Sequence, residues 1–150
     1  MKVNSTRLLW VVQQFRRYYD RQFTDLLARS GLTMREMDVI LFLTNNPGHD
    51  TARDVTELRG LSKSQVSAAV DLLAERGLLD RLPDRADRRV VHLALTEAGA
   101  ALARQGRQIQ SACLEKLFSG LTPAETDRFQ QLLEKVLTGA ETQLREGANT

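Results

Sequence analysis

The sequence predicts a mainly helical fold that carries one small β-hairpin. Apolar residues recur at helical spacing through most of the 150 residues, and pairs of the Thr-x-x-Glu kind mark successive helix starts. One stretch, between residues 78 and 95, instead shows the alternation of two short strands. A chain of this length can bury one hydrophobic core, so we expect one domain with helical extensions.

The composition excludes several classes of protein. Hydrophobic residues make up 42% of the chain and charged residues 27%, which are the proportions of a globular protein. No apolar run approaches the roughly 18 residues that a membrane span needs, and the stretch 8–12 is too short for a secretion signal. The single cysteine, Cys113, allows no intrachain disulfide. We therefore expect a cytoplasmic protein without a membrane partner.

The first third of the chain predicts two helices. One long helix runs from about Ser5 to Ala28, and Ser30-Gly31 ends it because glycine readily takes the left-handed conformation. Thr33 and Glu36 then form a capping box that opens a shorter helix, which Asn45-Asn46-Pro47-Gly48 ends. The apolar stripe of the first helix comprises Leu8, Val12, Phe15, Tyr19, Phe23 and Leu26.

Two short capped helices follow, separated by a glycine turn. Thr51 with Asp54 opens the first helix, and Ser62 with Gln65 opens the second. The link Arg59-Gly60-Leu61 has the length of the turn in a helix-turn-helix, and a further glycine ends the second helix. The segment therefore predicts a helix-turn-helix.

A β-hairpin is predicted directly after this motif. Leu78–Leu82 and Val90–Leu95 have the composition and alternation of strands, and the polar segment Pro83–Arg89 joins them. A hairpin that follows a helix-turn-helix is called a wing.

Two helices complete the chain. The first begins at Thr96-Glu97 and extends to about Phe118, and Gly106 leaves a bend or break within it open. The second begins at Thr122, with Glu125 closing its capping box. We expect the second helix to bury a wide apolar stripe made of Phe129, Leu132, Leu133, Val136, Leu137, Ala140 and Leu144.

The second helix of the helix-turn-helix has the two faces that DNA recognition requires. Val66, Ala69, Val70 and Leu73 would face the partner helix, while small polar side chains would face the major groove. Glutamine can contact adenine through two hydrogen bonds, and serine can bond to several bases or to phosphate. The same residue types also serve as plain helix caps, and we expect Ser62 to cap the helix whether or not it contacts DNA. The candidate DNA-contacting residues here are Ser62, Lys63, Ser64, Gln65, Ser67 and Ala68.

The tip of the wing concentrates charge. Arg85, Arg88 and Arg89 lie within seven residues, together with Asp87, which could orient one of the guanidinium groups. Such a tip can be only a solvated turn. Its position after the recognition helix favours DNA contact, because a hairpin there can reach the minor groove, whose negative potential attracts arginine.

Net charge alone does not favour nucleic acid. Residues 33–95 carry nine Lys and Arg against ten Asp and Glu, a net charge of −1, whereas residues 1–32 carry six against two. The placement of the arginines, and not the basic balance of the whole chain, predicts DNA binding.

A ligand site is predicted on the first helix, with an alternative. Trp10, Phe15, Arg16 and Tyr19 could line an aromatic cleft for a small aromatic carboxylate. The same aromatic stripe could instead pack an interface between two copies of the chain.

At this point the chain resembles a known family. Leu78-Leu79 before the hairpin, Asp87-Arg88-Arg89 at its tip and Leu95-Thr96-Glu97-x-Gly99 after it are similar to the MarR family of winged-helix regulators. The resemblance implies a homodimer that binds a pseudo-palindromic operator in double-stranded DNA and represses transcription until a small, often phenolic, effector releases it. It assigns the wing role to Arg88 and Arg89, and the recognition role to Ser64, Gln65 and Ser67.

The resemblance also implies how a single domain of residues 1–150 would be organised. Residues of about 33–95 would form the DNA-binding lobe, and residues of about 1–31 and 96–150 would form the helical dimerisation region. Peroxide-sensing members of the family carry a cysteine in the first helix, which has none here, so we expect Cys113 to be structural.

Other functions find less support in the sequence. His49 and His92 have no metal-ligand spacing, and no phosphate loop or nucleophile motif occurs, so we expect no metal, no cofactor and no enzyme activity. The alternative is a winged-helix module that binds a protein without direct DNA binding. That module would expose an apolar face on the second helix of the motif, where this chain has serine, glutamine and alanine.

Overall fold

The computed structural model describes residues 4–147, which form seven α-helices and one antiparallel pair of strands. This mainly helical fold with a β-hairpin confirms the predicted class. None of the helices within these residues combines the length and the apolarity of a membrane span. In chain order the elements are α1 (Ser5–Gln22), α2 (Thr24–Ser30), α3 (Met34–Asn45), α4 (Ala52–Arg59), α5 (Lys63–Glu75), β1 (Leu79–Pro83), β2 (Val91–Leu95), α6 (Glu97–Leu117) and α7 (Pro123–Gly147).

The single long helix predicted at the N-terminus is wrong, because the chain forms two helices that meet at Phe23. The N–H group of Phe23 bonds to the carbonyl of Asp20 at 3.2 Å, three residues back, as in the tighter 3₁₀ geometry. The side chain of Phe23 is completely buried, and its ring lies 4.9 Å from that of Tyr19. The apolar spacing continues through the junction, so periodicity could not reveal it.

The predicted capping boxes are confirmed at the starts of α3, α4 and α5. Thr122 and Glu125 exchange the same pair of bonds at the start of α7. Gly60 follows α4 with a φ of 73°, a left-handed conformation that glycine adopts without strain. These local signals account for the accuracy of most helix boundaries.

The hairpin forms as predicted, except that β1 begins and ends one residue later and β2 begins one residue later than expected. β1 pairs with β2 from Leu79 opposite Leu95 to Pro83 opposite Val91. The hairpin is also attached to the start of α4, because the N–H group of Leu93 bonds to the carbonyl of Asp50 at 2.7 Å. The wing is therefore fixed to the helix-turn-helix on two sides, by the chain after α5 and by the segment before α4.

One core joins α2, α3, α4, α5, the hairpin and the first part of α6. Its fully buried side chains include Met37, Ile40, Val55 and Leu73. α6 runs without a break through Gly106, where a Cβ atom would stand 2.9 Å from Leu41 Cδ2. Glycine at this position therefore permits close packing of α6 on α3.

Residues from 112 onward form a second compact unit, which contains the end of α6 and all of α7. Within it the rings of Phe118 and Phe129 lie 5.6 Å apart. The expectation that α7 buries its apolar stripe is wrong for the single chain, because Val136 is 64% exposed and Phe129, Leu132, Leu133 and Leu137 are exposed as well. Leu144 lies among the residues whose side chains are not described. Whether residues 1–31 and 96–150 mediate dimerisation stays a prediction.

Candidate nucleic-acid interface

α5 presents a small polar face to solvent. Lys63, Ser64, Ser67, Ala68 and Asp71 are exposed. The residues expected to face the partner helix are buried, namely Val66, Ala69, Val70 and Leu73. Ser62 caps the helix by accepting a hydrogen bond from the N–H group of Gln65 at 3.2 Å, and its hydroxyl lies 3.2 Å from that of Ser64.

Gln65 does not share this exposed face, although we expected it there. It is half-buried, and its Oε1 atom accepts a hydrogen bond from the N–H group of Ser62 at 3.0 Å. A two-bond contact with adenine needs that oxygen, so Gln65 would have to give up its part in the capping box. Its role in base recognition stays a prediction, and such a role would require the loss of this capping bond.

An ion pair that the sequence analysis missed joins α5 to the wing. A guanidinium nitrogen of Arg81, on β1, contacts Asp71 Oδ1 on the exposed face of α5. The two residues are ten positions apart and belong to different elements, so no helix or strand spacing connects them. The pair sets Arg81 beside the recognition helix.

A network around Asp84 shapes the tip of the wing. Asp84 Oδ2 accepts hydrogen bonds from the N–H groups of Ala86 and Asp87, both at 2.8 Å. The N–H group of Asp84 bonds in turn to the carbonyl of Val90 at 3.0 Å, which closes the base of the tip. The tip therefore has defined backbone bonds although most of it is exposed.

The three arginines of the tip are all exposed. Arg89 Nε lies 3.2 Å from Asp87 Oδ1 and Arg89 Nη2 lies 3.3 Å from Asp87 Oδ2, a two-point contact that orients the guanidinium group. The side-chain hydrogen bond from Arg89 lowers the pKa of Asp87, so the carboxylate stays charged. Asp87 thus contacts a wing arginine as predicted, and the arginine concerned is Arg89.

His92 on β2 lies between two carboxylates. Its Nδ1 atom is 2.7 Å from Asp50 Oδ1, and its Nε2 atom is 2.9 Å from Asp84 Oδ1. The hydrogen bonds that Asp50 and then Asp84 accept raise the pKa of His92, and the bond that His92 donates lowers the pKa of Asp84 to about 2. In the sequence His92 suggested at most a metal ligand, and in the part of the chain that the structure describes no group of three or more His, Cys, Asp and Glu has the arrangement of a metal site.

Recognition helix and wing border one depression. A cavity of about 480 Å³ lies between α4, α5 and the hairpin. Lys63 and Ser67 line it from α5, and Arg81, Val91 and Leu93 line it from the strands. The structure therefore brings the N-terminal half of α5 and the stem of the wing to one side of the lobe.

The four candidate ligand residues of the first helix have different surroundings, and their joint role in a ligand site stays a prediction. Trp10 is 59% exposed, and the hydroxyl of Tyr19 accepts a hydrogen bond from Gln110 Nε2 at 2.8 Å. The rings of Phe15 and Tyr19 lie 6.3 Å apart. Arg16 lines a separate cavity of about 410 Å³, together with Asp20, Thr33, Met34, Arg35, Asp38, Leu61 and Gln65.

The thiol of Cys113 is buried. Burial raises the pKa of this thiol, which disfavours the reactive thiolate. The environment is that of a structural cysteine.

Comparison with known proteins places these features in context. Residues 30–90, from the end of α2 to the tip of the wing, match the family model described as MarR family. The transcriptional repressor MprA of Escherichia coli strain K12 is 35% identical over 79 residues, which cover 53% of this chain and 45% of MprA. The chain thus matches less than half the length of that relative.

Two further proteins are similar over more of the chain. The HTH-type transcriptional repressor IacR of Pseudomonas putida is 26% identical over 124 residues, which cover 83% of this chain and 74% of IacR. The structure of Bordetella bronchiseptica BpsR, whose DNA binding is regulated by 6-hydroxynicotinic acid, superimposes with a TM-score of 0.64 at 26% identity and covers 87% of this chain and 98% of BpsR.

Proposed function

We propose that this chain, whose residues 30–90 match the MarR family model, is a transcriptional repressor that binds operator DNA as a homodimer and is released by a small ligand. The observation that carries the proposal is the shared side of the lobe on which α5 exposes small polar groups and the wing exposes arginine. A helix of this kind fits the major groove while the wing reaches the adjacent minor groove.

Within this proposal the two elements divide the work. Lys63, Ser64, Ser67 and Ala68 at the start of α5 approach base edges and the nearest phosphates. Arg85, Arg88 and Arg89 supply positive charge that the nearly neutral lobe otherwise lacks. Asp87 keeps Arg89 extended towards the DNA and limits indiscriminate phosphate binding.

A second copy of the chain is the proposed occupant of the exposed apolar surfaces. Large apolar side chains rarely cluster in solvent on a monomer, and each compact unit exposes several of them. A two-fold dimer would present two α5 helices to half-sites about one helical turn apart. The proposed contact residues are Leu8, Leu9, Trp10, Val11 and Val12 in the first unit, and Leu114, Leu117, Leu121, Phe129, Leu132, Leu133, Val136 and Leu137 in the second.

The cavity beside Arg16 is the proposed effector site. It extends from α1 to Gln65 in the first turn of α5, and its volume is within the range of small-molecule sites. An aromatic carboxylate could pair with Arg16 and disturb the capping bond between Gln65 and Ser62. That the DNA binding of BpsR responds to an aromatic acid supports this choice of ligand class.

Selection of bound sequences from random duplex DNA, combined with sedimentation, tests the proposal. We expect a two-fold-related site and a dimer at the working protein concentration. Recovery of no preferred sequence, or a monomer in sedimentation, would contradict it. Exposed Ser64, Ser67 and Asp71 on α5 disfavour the alternative of a protein-interaction module, which needs an apolar face there.

The effector site has its own test. Benzoic and hydroxybenzoic acids should release the selected duplex from the wild-type protein, and Arg16→Ala should abolish that release. Arg17→Ala is the matched control, because Arg17 neighbours Arg16 on α1 but lines a different cavity. Equal responses of the two variants would remove Arg16 from the effector site.

A further inference from the structure

The imidazole of His92 connects two parts of the lobe that are far apart in sequence. Asp50, bonded to Nδ1, directly precedes Thr51, the cap of α4. Asp84, bonded to Nε2, is the first residue of the wing tip. The ring is therefore a side-chain link between the helix-turn-helix and the tip that carries the arginines.

The two bonds place a chemical condition on the ring. A carboxylate can only accept a hydrogen bond, and a neutral imidazole has a single N–H group to donate. In the neutral state one ring nitrogen would direct its lone pair at a carboxylate oxygen. Both contacts are satisfied together only when the ring is protonated, and the raised pKa of His92 agrees with this geometry.

The link continues from the ring to the exposed charge of the wing. Asp84 uses one carboxylate oxygen for His92 and the other for the N–H groups of Ala86 and Asp87. Asp87 in turn holds the guanidinium group of Arg89. The orientation of Arg89 thus depends on a chain of contacts that begins at the His92 ring.

Other charged groups around β2 are directed elsewhere. On α4, Arg53 pairs with Glu57, while Asp54 accepts a hydrogen bond from Thr51 and lies 3.6 Å from His49 Nδ1. Among the described residues the ion pairs of His92 are those with Asp50 and Asp84. Three pairs account for several of the remaining charged groups on the neighbouring elements: Asp38 with Arg59, Arg81 with Asp71, and Asp87 with Arg89. The full set is Arg35, Glu36 and Asp38 on α3, Arg59 on α4, Asp80 and Arg81 on β1, and Arg85, Asp87, Arg88 and Arg89 at the tip.

We propose that His92 is a wing-positioning residue, which holds the tip in its DNA-binding arrangement fully only while the ring is protonated. This inference rests on the proposed function, because the arrangement matters through operator affinity. The direction of the pH dependence follows from the raised pKa of His92 in the folded protein. Protonation of the ring stabilises the tip fully below the pKa of the unfolded state, near 6.5, and this stabilisation is lost as the pH rises through the pKa of the folded state. Operator affinity should therefore fall on the alkaline side.

The free protein provides the first measurement, which does not involve DNA. NMR titration of the imidazole signals gives the pKa of His92, and amide hydrogen exchange gives protection factors at Ala86 and Asp87. We expect those protection factors to decrease as His92 loses its proton. Protection that is constant through the titration would overturn the proposal.

The second measurement is the affinity for the selected duplex between pH 6 and pH 8.5 at constant ionic strength. We expect the affinity of the wild-type protein to fall roughly two- to tenfold as the pH rises across this range, because His92 loses one hydrogen bond. His92→Gln should flatten this dependence, whereas His49→Gln, which changes the other histidine of the chain, should preserve it. A flat wild-type profile, or an unchanged slope in His92→Gln, would overturn the proposal.

Asp84→Asn tests the chemistry without removing the ring. The amide oxygen can still accept from Ala86 and Asp87, while the amide NH₂ can donate to Nε2 of a neutral ring. The pH dependence should then reverse, with weaker binding at pH 6 than at pH 8.5, and the wild-type slope in this variant would contradict the proposal. If no duplex binds at any pH, the proposed function fails, and the exchange measurement still decides whether the ring holds the tip.

Discussion

The recognition helix and the wing lie on one side of the same lobe but are stabilised by different forces. α5 is anchored by apolar side chains that the core encloses, with Val66, Ala69 and Leu73 as its most buried members. The tip of the wing is held by hydrogen bonds among Asp84, Asp87, Arg89 and His92, all of which remain accessible to water. Burial fixes the helix, and charge-assisted bonds fix the wing.

This difference assigns different sensitivities to the two regions. Hydrophobic burial depends little on salt or on pH between 6 and 8, whereas exposed ion pairs are screened by salt and respond to protonation. The orientation of α5 should therefore persist wherever the protein is folded. The wing can change its arrangement, and hence DNA affinity, in a protein that stays folded.

The largest expected effect tests the anchoring of α5. Leu73→Ala should lower the free energy of unfolding by about 2–5 kcal/mol, because the side chain is completely buried and its removal leaves a cavity. Leu82→Ala on β1 is the matched control, since the same truncation at a half-exposed side chain should cost well under that amount. Urea denaturation measures both. Similar losses in the two variants would show that the wing stem is as tightly packed as the helix.

Local signals made much of this arrangement predictable. The Thr-x-x-Glu, Thr-x-x-Asp and Ser-x-x-Gln pairs describe bonds within one turn of chain, so they identify the starts of α3, α4 and α5 directly. The hairpin was predicted to within one residue by its alternation and its polar tip. Asp87 and Arg89 are two residues apart, which is why their contact was also within reach.

The features that escaped prediction depend on tertiary contacts. His92 and Asp50 are 42 positions apart, and Arg81 meets Asp71 across two elements, so neither contact leaves a periodic signal. Gln65 was placed on the exposed face because its residue type suits base recognition, but its capping bond turns it to the side of the helix. The break at Phe23 coincides with a completely buried ring and also leaves no signal in the apolar spacing.

The next effect distinguishes base recognition from helix capping within α5. Ser67→Ala should change the preference among operator variants by about 1–3 kcal/mol at one base pair, because Ser67 is exposed beside the wing stem. Gln65→Ala should instead weaken all duplexes similarly and destabilise the helix, because Gln65 closes the capping box. Competition binding with single-base variants of the selected site separates the two outcomes. A position-specific effect of Gln65→Ala would mean that Gln65 leaves its capping bond to read a base.

The smallest effects concern the wing, where electrostatics should dominate. Arg88→Ala and Arg89→Ala should weaken binding to all duplexes alike and reduce the slope of log affinity against log salt by about one for each wing contact that is lost. Titration of binding against salt concentration measures this slope, and unchanged slopes in both variants would remove the wing from the interface. Asp87→Asn sharpens the comparison, because it leaves both arginines in place and removes the negative charge that pairs with Arg89, while the amide oxygen can still accept the N–H group of Arg89. Such an exposed ion pair contributes at most about 1 kcal/mol, so we expect the variant to lose a few-fold in DNA affinity at low salt. If this loss of affinity disappears at high salt, orientation of Arg89 is the role of Asp87.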